Sequence, residues 1–166
     1  VRNNTIISIE LRKKVIETFP LSAESIHGPD HWSRVFENAR RISDEETGAD
    51  ARVLELFALF HDSMRRNDII DEGHGKRGAD YARRLRADGW FELDDEAFEL
   101  LCRACLHHTE GGLVDHPTVI TCWDADRLDL ARCGITPDPK RLCTATARKP
   151  EIIAWAVKRS AERRVP

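Results

Sequence analysis

The sequence lacks most of the features that would settle its class at a glance. It has no basic surplus: 26 Lys and Arg stand against 29 Asp and Glu in 166 residues, a formal net charge of -3. Bulk attraction to a polyanion is thereby excluded, and no nucleic-acid polymer is expected as a partner. Basic pairs occur at Arg65-Arg66, Lys76-Arg77, Arg83-Arg84 and Arg163-Arg164, but acidic residues surround most of them. Long apolar runs are missing too. Arg, Asp or Glu interrupts every stretch before the roughly 18 residues of a membrane span, so no membrane partner is expected. Val1 to Glu10 holds neither an apolar block nor a small-residue cleavage site, which makes a cytoplasmic location the expectation. Cysteine is scarce: five residues, an odd number without framework spacing, read as free thiols in a reducing compartment. Cys102 and Cys105 lack the second pair of a zinc knuckle and the βαβ setting of a redox motif, and are read as buried and unpaired.

Alternating strand patterns are also absent, and the periodicity is helical nearly throughout. Helices are predicted from about Ser8 to Phe19, Pro29 to Ser43, Asp50 to His61, Gly75 to Ala87, Asp94 to His107, Thr118 to Ala131 and Pro150 to Arg163. Pro29 and Pro150 suit first-turn positions, while Gly48, Gly89 and Gly134 fall where helices should stop. Acids at 94–96 complement the dipole of the fifth helix, and the basic end from Lys158 to Arg164 complements that of the last. With 41% hydrophobic residues and no repeat or linker, the expected fold is all-α. It reads as a compact single-domain helical bundle of about seven helices over 1–166. At this length a core buries roughly 70% of the chain's surface, so neither disulfide nor metal is needed merely to fold.

The informative residues are polar groups on apolar helical faces. Asp126 shares its stripe with Val119, Cys122, Trp123 and Leu130, where a carboxylate needs a core Arg or a cation. His61 follows Leu54, Phe57 and Ala58, and Asp62 is adjacent, so the two can supply N and O ligands together. His31 lies on the stripe of Val35, Asn38, Ala39 and Ile42. His27 sits one turn earlier; these two read either as a capping and a surface histidine or as site residues. His74 precedes a face of Gly78, Ala82 and Leu85, whose small residues allow close packing. His107 and His108 end the Leu100/Leu101 helix. Several imidazoles and two carboxylates converging at helix ends favour a metal site over independent structural roles.

The order His31, His61-Asp62, Asp126 resembles the H…HD…D signature of the HD superfamily of metal-dependent phosphohydrolases. The stretch from His27 to Val35 resembles that family's first helix, Phe57 to Asp62 its HD helix, and Asp124 to Asp129 its ADRL segment. The resemblance spans about Ser25 to Gly134, an HD core of about 25–134 followed by a loop and C-terminal helix over 135–166. It implies His31, His61, Asp62 and Asp126 as metal ligands, with Asp124 the competing choice for the last. His74, and His107 in the His107-His108-Thr109-Glu110 segment, resemble the further histidines of binuclear members. No Gly-Tyr-Pro follows Gly111-Gly112, so a cyclic dinucleotide is a poor expectation as substrate, and His27 stands where some members carry a Glu ligand.

The implied activity is hydrolysis of a small phosphate ester, a nucleotide or nucleotide derivative being the expected substrate. One or two divalent cations per chain (Mn, Co, Ni, Mg, Zn or Fe) would activate water and polarise the phosphoryl group. Asp62 is expected to bridge two metals or orient the nucleophile, Lys76 to neutralise phosphate charge, and Glu110 to serve as acid for the leaving group. Arg34, Arg65, Lys76, Arg77 and His108 are the substrate-binding candidates, and Trp32 a flanking one; a solvated surface role is the plain alternative for each basic residue. Two other functions compete: a di-iron oxygenase on the same fold, and an idle nucleotide-binding module. A monomer or homodimer is expected.

Overall fold

A computed structural model describes residues 5–45 and 48–163. Among them are seven α-helices and no strand: α1 (Ile9–Thr18), α2 (Pro29–Ser43), α3 (Ala51–Phe60), α4 (His74–Ala87), α5 (Asp95–His107), α6 (Pro117–Arg127) and α7 (Pro150–Ala161). The caps follow the sequence. Ser8, Asp50 and Asp94 each accept a bond from a first-turn amide, satisfying donors that the helix itself leaves free. Pro29, Pro117 and Pro150 occupy opening positions, where the missing N–H costs nothing. Gly48, Gly89 and Gly134 adopt positive φ at stops.

One predicted boundary is corrected. The sixth helix does not reach Ala131; it ends at Arg127, and a 3-10 turn over Leu130–Cys133 carries the chain to Gly134. The interruption delivers Asp129 to partners on α2, which a continued helix would have had to forgo. Arg164 of the basic terminus lies outside the described residues.

The apolar core is continuous from Leu11 to Ala156 and draws on all seven helices. Helices α2, α3 and α6 pack together at its centre, and α4 lies against α5. Two glycines set how closely α4 approaches. A Cβ on Gly78 would collide with the Phe60 carbonyl at the end of α3, and one on Gly75 with the Cys105 carbonyl of α5. Close helix approach of this kind needs the absent side chain. The C-terminal segment is tied back to α6 by a buried carboxylate. Asp124 accepts from the amides of Cys143 at 2.8 Å and Thr144 at 2.7 Å, and from the Thr144 hydroxyl at 2.9 Å. Among the described residues no helix is long and apolar enough to cross a membrane.

Candidate metal centre

Five helix ends meet in the core. His31 comes from the first turn of α2, His61 caps α3 with Asp62 beside it, His74 opens α4, His108 caps α5, and Asp126 lies in the last turn of α6. His61 Nε2 lies 3.0 Å from His31 Nε2. Asp126 Oδ1 stands 3.3 Å from His31 Nε2 and 3.8 Å from His61 Nε2. Asp62 Oδ2 is 3.6 and 3.8 Å from the same two nitrogens. The other oxygen of Asp62 faces a second group, 3.2 Å from His74 Nε2 and 3.5 Å from His108 Nε2, with those two nitrogens 2.8 Å apart. Asp62 thus turns one oxygen to each of two donor sets.

The outward ring nitrogens decide what the inward ones can do. His61 Nδ1 donates to the Phe57 and Ala58 carbonyls at 3.0 and 3.2 Å, His74 Nδ1 to Asp71 at 2.6 Å, and His108 Nδ1 to Cys105 at 2.7 Å. His31 Nδ1 donates to Asp129 Oδ2 at 2.7 Å. Each imidazole therefore spends its proton on Nδ1 and presents an Nε2 lone pair to the centre, the tautomer a metal requires. Facing lone pairs repel unless a proton or a cation lies between them. Asp62 Oδ1 and Asp126 Oδ1 are buried without any hydrogen-bond partner, an expensive condition that a cation would relieve. An ion about 2.1 Å from each donor spaces neighbouring donors by about 3.0–3.4 Å, close to the separations seen. The residues fit a divalent cation at His31, His61 and Asp62, with Asp126 beside the two imidazoles as a fourth donor, and a second at Asp62, His74 and His108.

The electrostatics favour two ionised carboxylates and a neutral His61. Burial pushes the Asp62 carboxyl up, but the surrounding imidazoles of His61, His108, His27 and His74 outweigh it and hold the group well below its usual range. For Asp126 burial is likewise outweighed, by the close approach of His31 and the charge of Arg132, which hold its carboxyl well below the usual range. Burial drives His61 down to about 3 despite the nearby carboxylates, keeping its imidazole neutral. His108 moves the other way: burial lowers it, and the neighbouring Asp62 carboxylate prevails to raise it.

Behind the donors lies a supporting layer. Asp129, besides holding His31, accepts from Arg34 Nε at 2.8 Å and Arg34 Nη2 at 3.1 Å. Burial raises the Asp129 carboxyl, while His31 and Arg34 bring it down to about 2. Arg132, nearly buried, reaches within 3.6 Å of Asp126 Oδ1 and donates to the Ile26 carbonyl. His27 Nδ1 is 2.8 Å from Asp62 Oδ2.

Several sequence expectations need correction. His107 is exposed and takes no part in either donor set; its place is filled by His108, because the buried face Leu101, Ala104, Cys105 continues to 108 rather than 107. His108 accordingly stands among the donors instead of beyond them as a substrate contact. Lys76 projects from the outer face of α4 and pairs with Asp80 at 2.5 Å. Arg77 is spent on the loop before α4, bonding Asp71 and the Met64 and Glu72 carbonyls. Glu110 is exposed after α5 and makes no bond to the centre among the described residues. Arg34 is buried on Asp129, one residue removed from the donors. Trp32 is buried in the core, its indole N–H on the His27 carbonyl. Arg65 alone of the cationic candidates touches the donor sets, 3.7 Å from Asp62 Oδ1. Asp124 is occupied by Cys143 and Thr144 and does not reach the imidazoles. Sequence periodicity does not single out Asp129 and Arg132; the one signal is a carboxylate flanked by Leu128 and Leu130, with a cation one turn on.

Comparison with known proteins bears on this centre. A solved structure described as a predicted HD superfamily hydrolase, from an uncultured Thermotogales bacterium, superposes with a TM-score of 0.69 at 25% identity, over 94% of this chain and 88% of that one. No protein of curated function matches the chain in sequence. The HD domain model matches residues 30–131, more than half of the chain and a span that takes in every residue of both donor sets. The chain therefore belongs to the HD-domain family, a superfamily of metal-dependent hydrolases.

Proposed function

We propose that the protein hydrolyses a small phosphate ester using one or two divalent cations, held by His31, His61, Asp62 and Asp126 and by Asp62, His74 and His108. The observation that carries this reading is the Asp62 carboxylate, whose two oxygens face two separate pairs of imidazole Nε2 atoms at 3.2–3.8 Å. A divalent cation in such a centre supplies water of lowered pKa and a Lewis acid for a phosphoryl oxygen. The chain's own residues supply the rest. Asp129 and the carbonyls of Phe57, Asp71 and Cys105 hold the four rings in the donor tautomer. Arg65 and Arg132, the guanidinium groups nearest the donors, are placed to neutralise the charge of a phosphate. Lys76 and Arg77 drop out of this role on geometry, and Glu110, exposed after α5, out of that of leaving-group acid. Four imidazoles suit Mn, Fe, Co, Ni or Zn better than Mg, which prefers oxygen donors. A nucleotide or nucleotide derivative is the first substrate class to screen, in both monoester and diester form.

Elemental analysis of protein purified without chelators, beside an Asp126→Ala variant, tests the centre. Non-iron metal at one to two ions per chain, lost in the variant and accompanied by phosphate release from a nucleotide panel, is the expected result. Two irons with oxygen-dependent turnover would replace hydrolysis with oxygenation. Protein that carries no metal and takes up none when offered would overturn the enzyme reading altogether.

A further inference from the structure

The two donor sets are not equivalent, and the difference is Arg65. Its side chain is nearly buried, and the guanidinium is fixed at three points. Nε donates to the Asn67 carbonyl at 3.2 Å, Nη2 to the Ile69 carbonyl at 2.9 Å, and Nη1 to His74 Nε2 at 3.3 Å. His74 has its Nδ1 proton committed to Asp71, so the Nε2 atom that Arg65 contacts is a lone pair. That lone pair is the one a cation in the second set would need. The same Nη1 stands 3.7 Å from Asp62 Oδ1, the carboxylate oxygen of that set. The first set differs in charge and in bonding. It has two carboxylates, Asp62 and Asp126, and its nearest guanidinium, Arg132, makes no hydrogen bond to any of its four residues. The second set has one shared carboxylate and a guanidinium already on its imidazole.

We infer that Arg65 occupies the charge position of the second cation and thereby sets the metal stoichiometry: the first set fills tightly, the second only weakly and at the expense of the Arg65–His74 contact. The loop that carries Arg65 is built to hold it there. Asn67 and Ile69 supply the anchoring carbonyls, and Asp68 accepts from Ser25 Oγ at 2.5 Å, tying the loop to the segment before α2. The inference rests on the metal reading above and concerns which set fills, not whether the centre binds metal.

Calorimetric and absorbance titration of metal-free protein with Co2+ reads both dissociation constants directly. Wild type should show one tight and one weak ion. Arg65→Met, which keeps the stem and removes the charge, should tighten the second by about tenfold or more, since two positive groups so close repel strongly. Arg65→Gln should do the same while retaining an N–H for the loop carbonyls, and Arg65→Lys should leave the second ion weak. Two ions of equal affinity in wild type, or a second constant unchanged in both Arg65→Met and Arg65→Gln, would overturn the inference and leave the hydrolase reading intact. Should neither variant fold, the wild-type titration still decides through its first arm. No cobalt uptake at all would instead overturn the metal reading.

Discussion

Gly75 is the position where a single methyl group should disturb both the packing and the metal centre. It follows His74 at the start of α4, and a Cβ there would meet the Cys105 carbonyl well inside the 3.0 Å that real Cβ atoms keep, with His108 Nδ1 at 3.1 Å and Cε1 at 3.2 Å. The colliding atom belongs to the backbone of α5, so no rotamer change relieves it. Overpacking of this kind costs about 1–3 kcal/mol. Gly75 is not among the positive-φ glycines, so alanine is conformationally allowed and recovers about 0.4–1 kcal/mol of unfolded-state entropy. The collision lies at the upper end of its range, which leaves a net loss of about 2 kcal/mol for Gly75→Ala. In a chain of this size that lowers Tm by about 4–8 °C. The shift of α4 from α5 also separates His74 from His108, 2.8 Å apart at Nε2, so the second metal site should weaken more than the first. Thermal and urea denaturation of metal-stripped protein, followed by cobalt titration, measure the two effects. Gly112→Ala is the reference, since nothing lies within 4 Å of a Cβ there and its φ is not positive. If Gly75→Ala proves as stable as Gly112→Ala, with the second metal unaffected, then this contact does not set the spacing of α4 and α5.

The two neighbouring aspartates should separate cleanly. Asp124→Ala strips three hydrogen bonds from the Cys143–Thr144 turn and should cost about 3–5 kcal/mol while metal content per folded chain stays at the wild-type level. Asp126→Ala should lose metal with far less effect on metal-free stability; the reverse pattern would refute the assignment. Mn2+ at about a hundred times its Kd should stabilise the wild type by about 2.7 kcal/mol, raising Tm by about 5–11 °C, and an unmoved Tm would contradict binding at the centre. Burial holds His61 at about 3 when folded against 6.5 in the free chain, so on acidification the unfolded state takes up a proton that the folded state refuses. The stability owed to neutral His61 is complete above pH 6.5 and is lost as the pH falls toward 3, by up to about 1.4 kcal/mol per pH unit. Denaturation of metal-stripped wild type and His61→Asn at several pH values tests this; parallel pH dependences would refute it.

Most of the fold could be read from the sequence because helical periodicity and caps are local. Pro29 to Ser43 is matched residue for residue, and Asp50 and Asp94 prove to be caps just outside helices predicted to begin with them. The end of α6 could not be read, since what stops it is a contact of Asp129 with His31 and Arg34, almost a hundred residues away in sequence. The site divides along the same line. Residues with a clear apolar stripe, such as His31, His61 and Asp126, are brought together. His107 and His108 are adjacent at a helix end, and only continuing the Cys105 face by one turn separates them. The basic residues were least legible, because a lysine or arginine carries no periodic signature of where its long side chain will end. Arg132 reaches the centre and Lys76 leaves it for reasons that only the packed structure supplies.

Asp129 has a consequence for how substitutions in this protein should be interpreted. One carboxylate serves His31 and both nitrogens of the Arg34 fork, and Arg132 Nη1 stands 3.9 Å away. Removing any one partner changes what the others experience. Single substitutions at His31, Arg34, Arg132 and Asp129 will therefore each report much of the same energy, and their sum will exceed the loss seen when all are changed together. Coupling of about 0.5–3 kcal/mol between members of such a network is typical. An alanine scan would credit the carboxylate several times over, and only paired substitutions can apportion it.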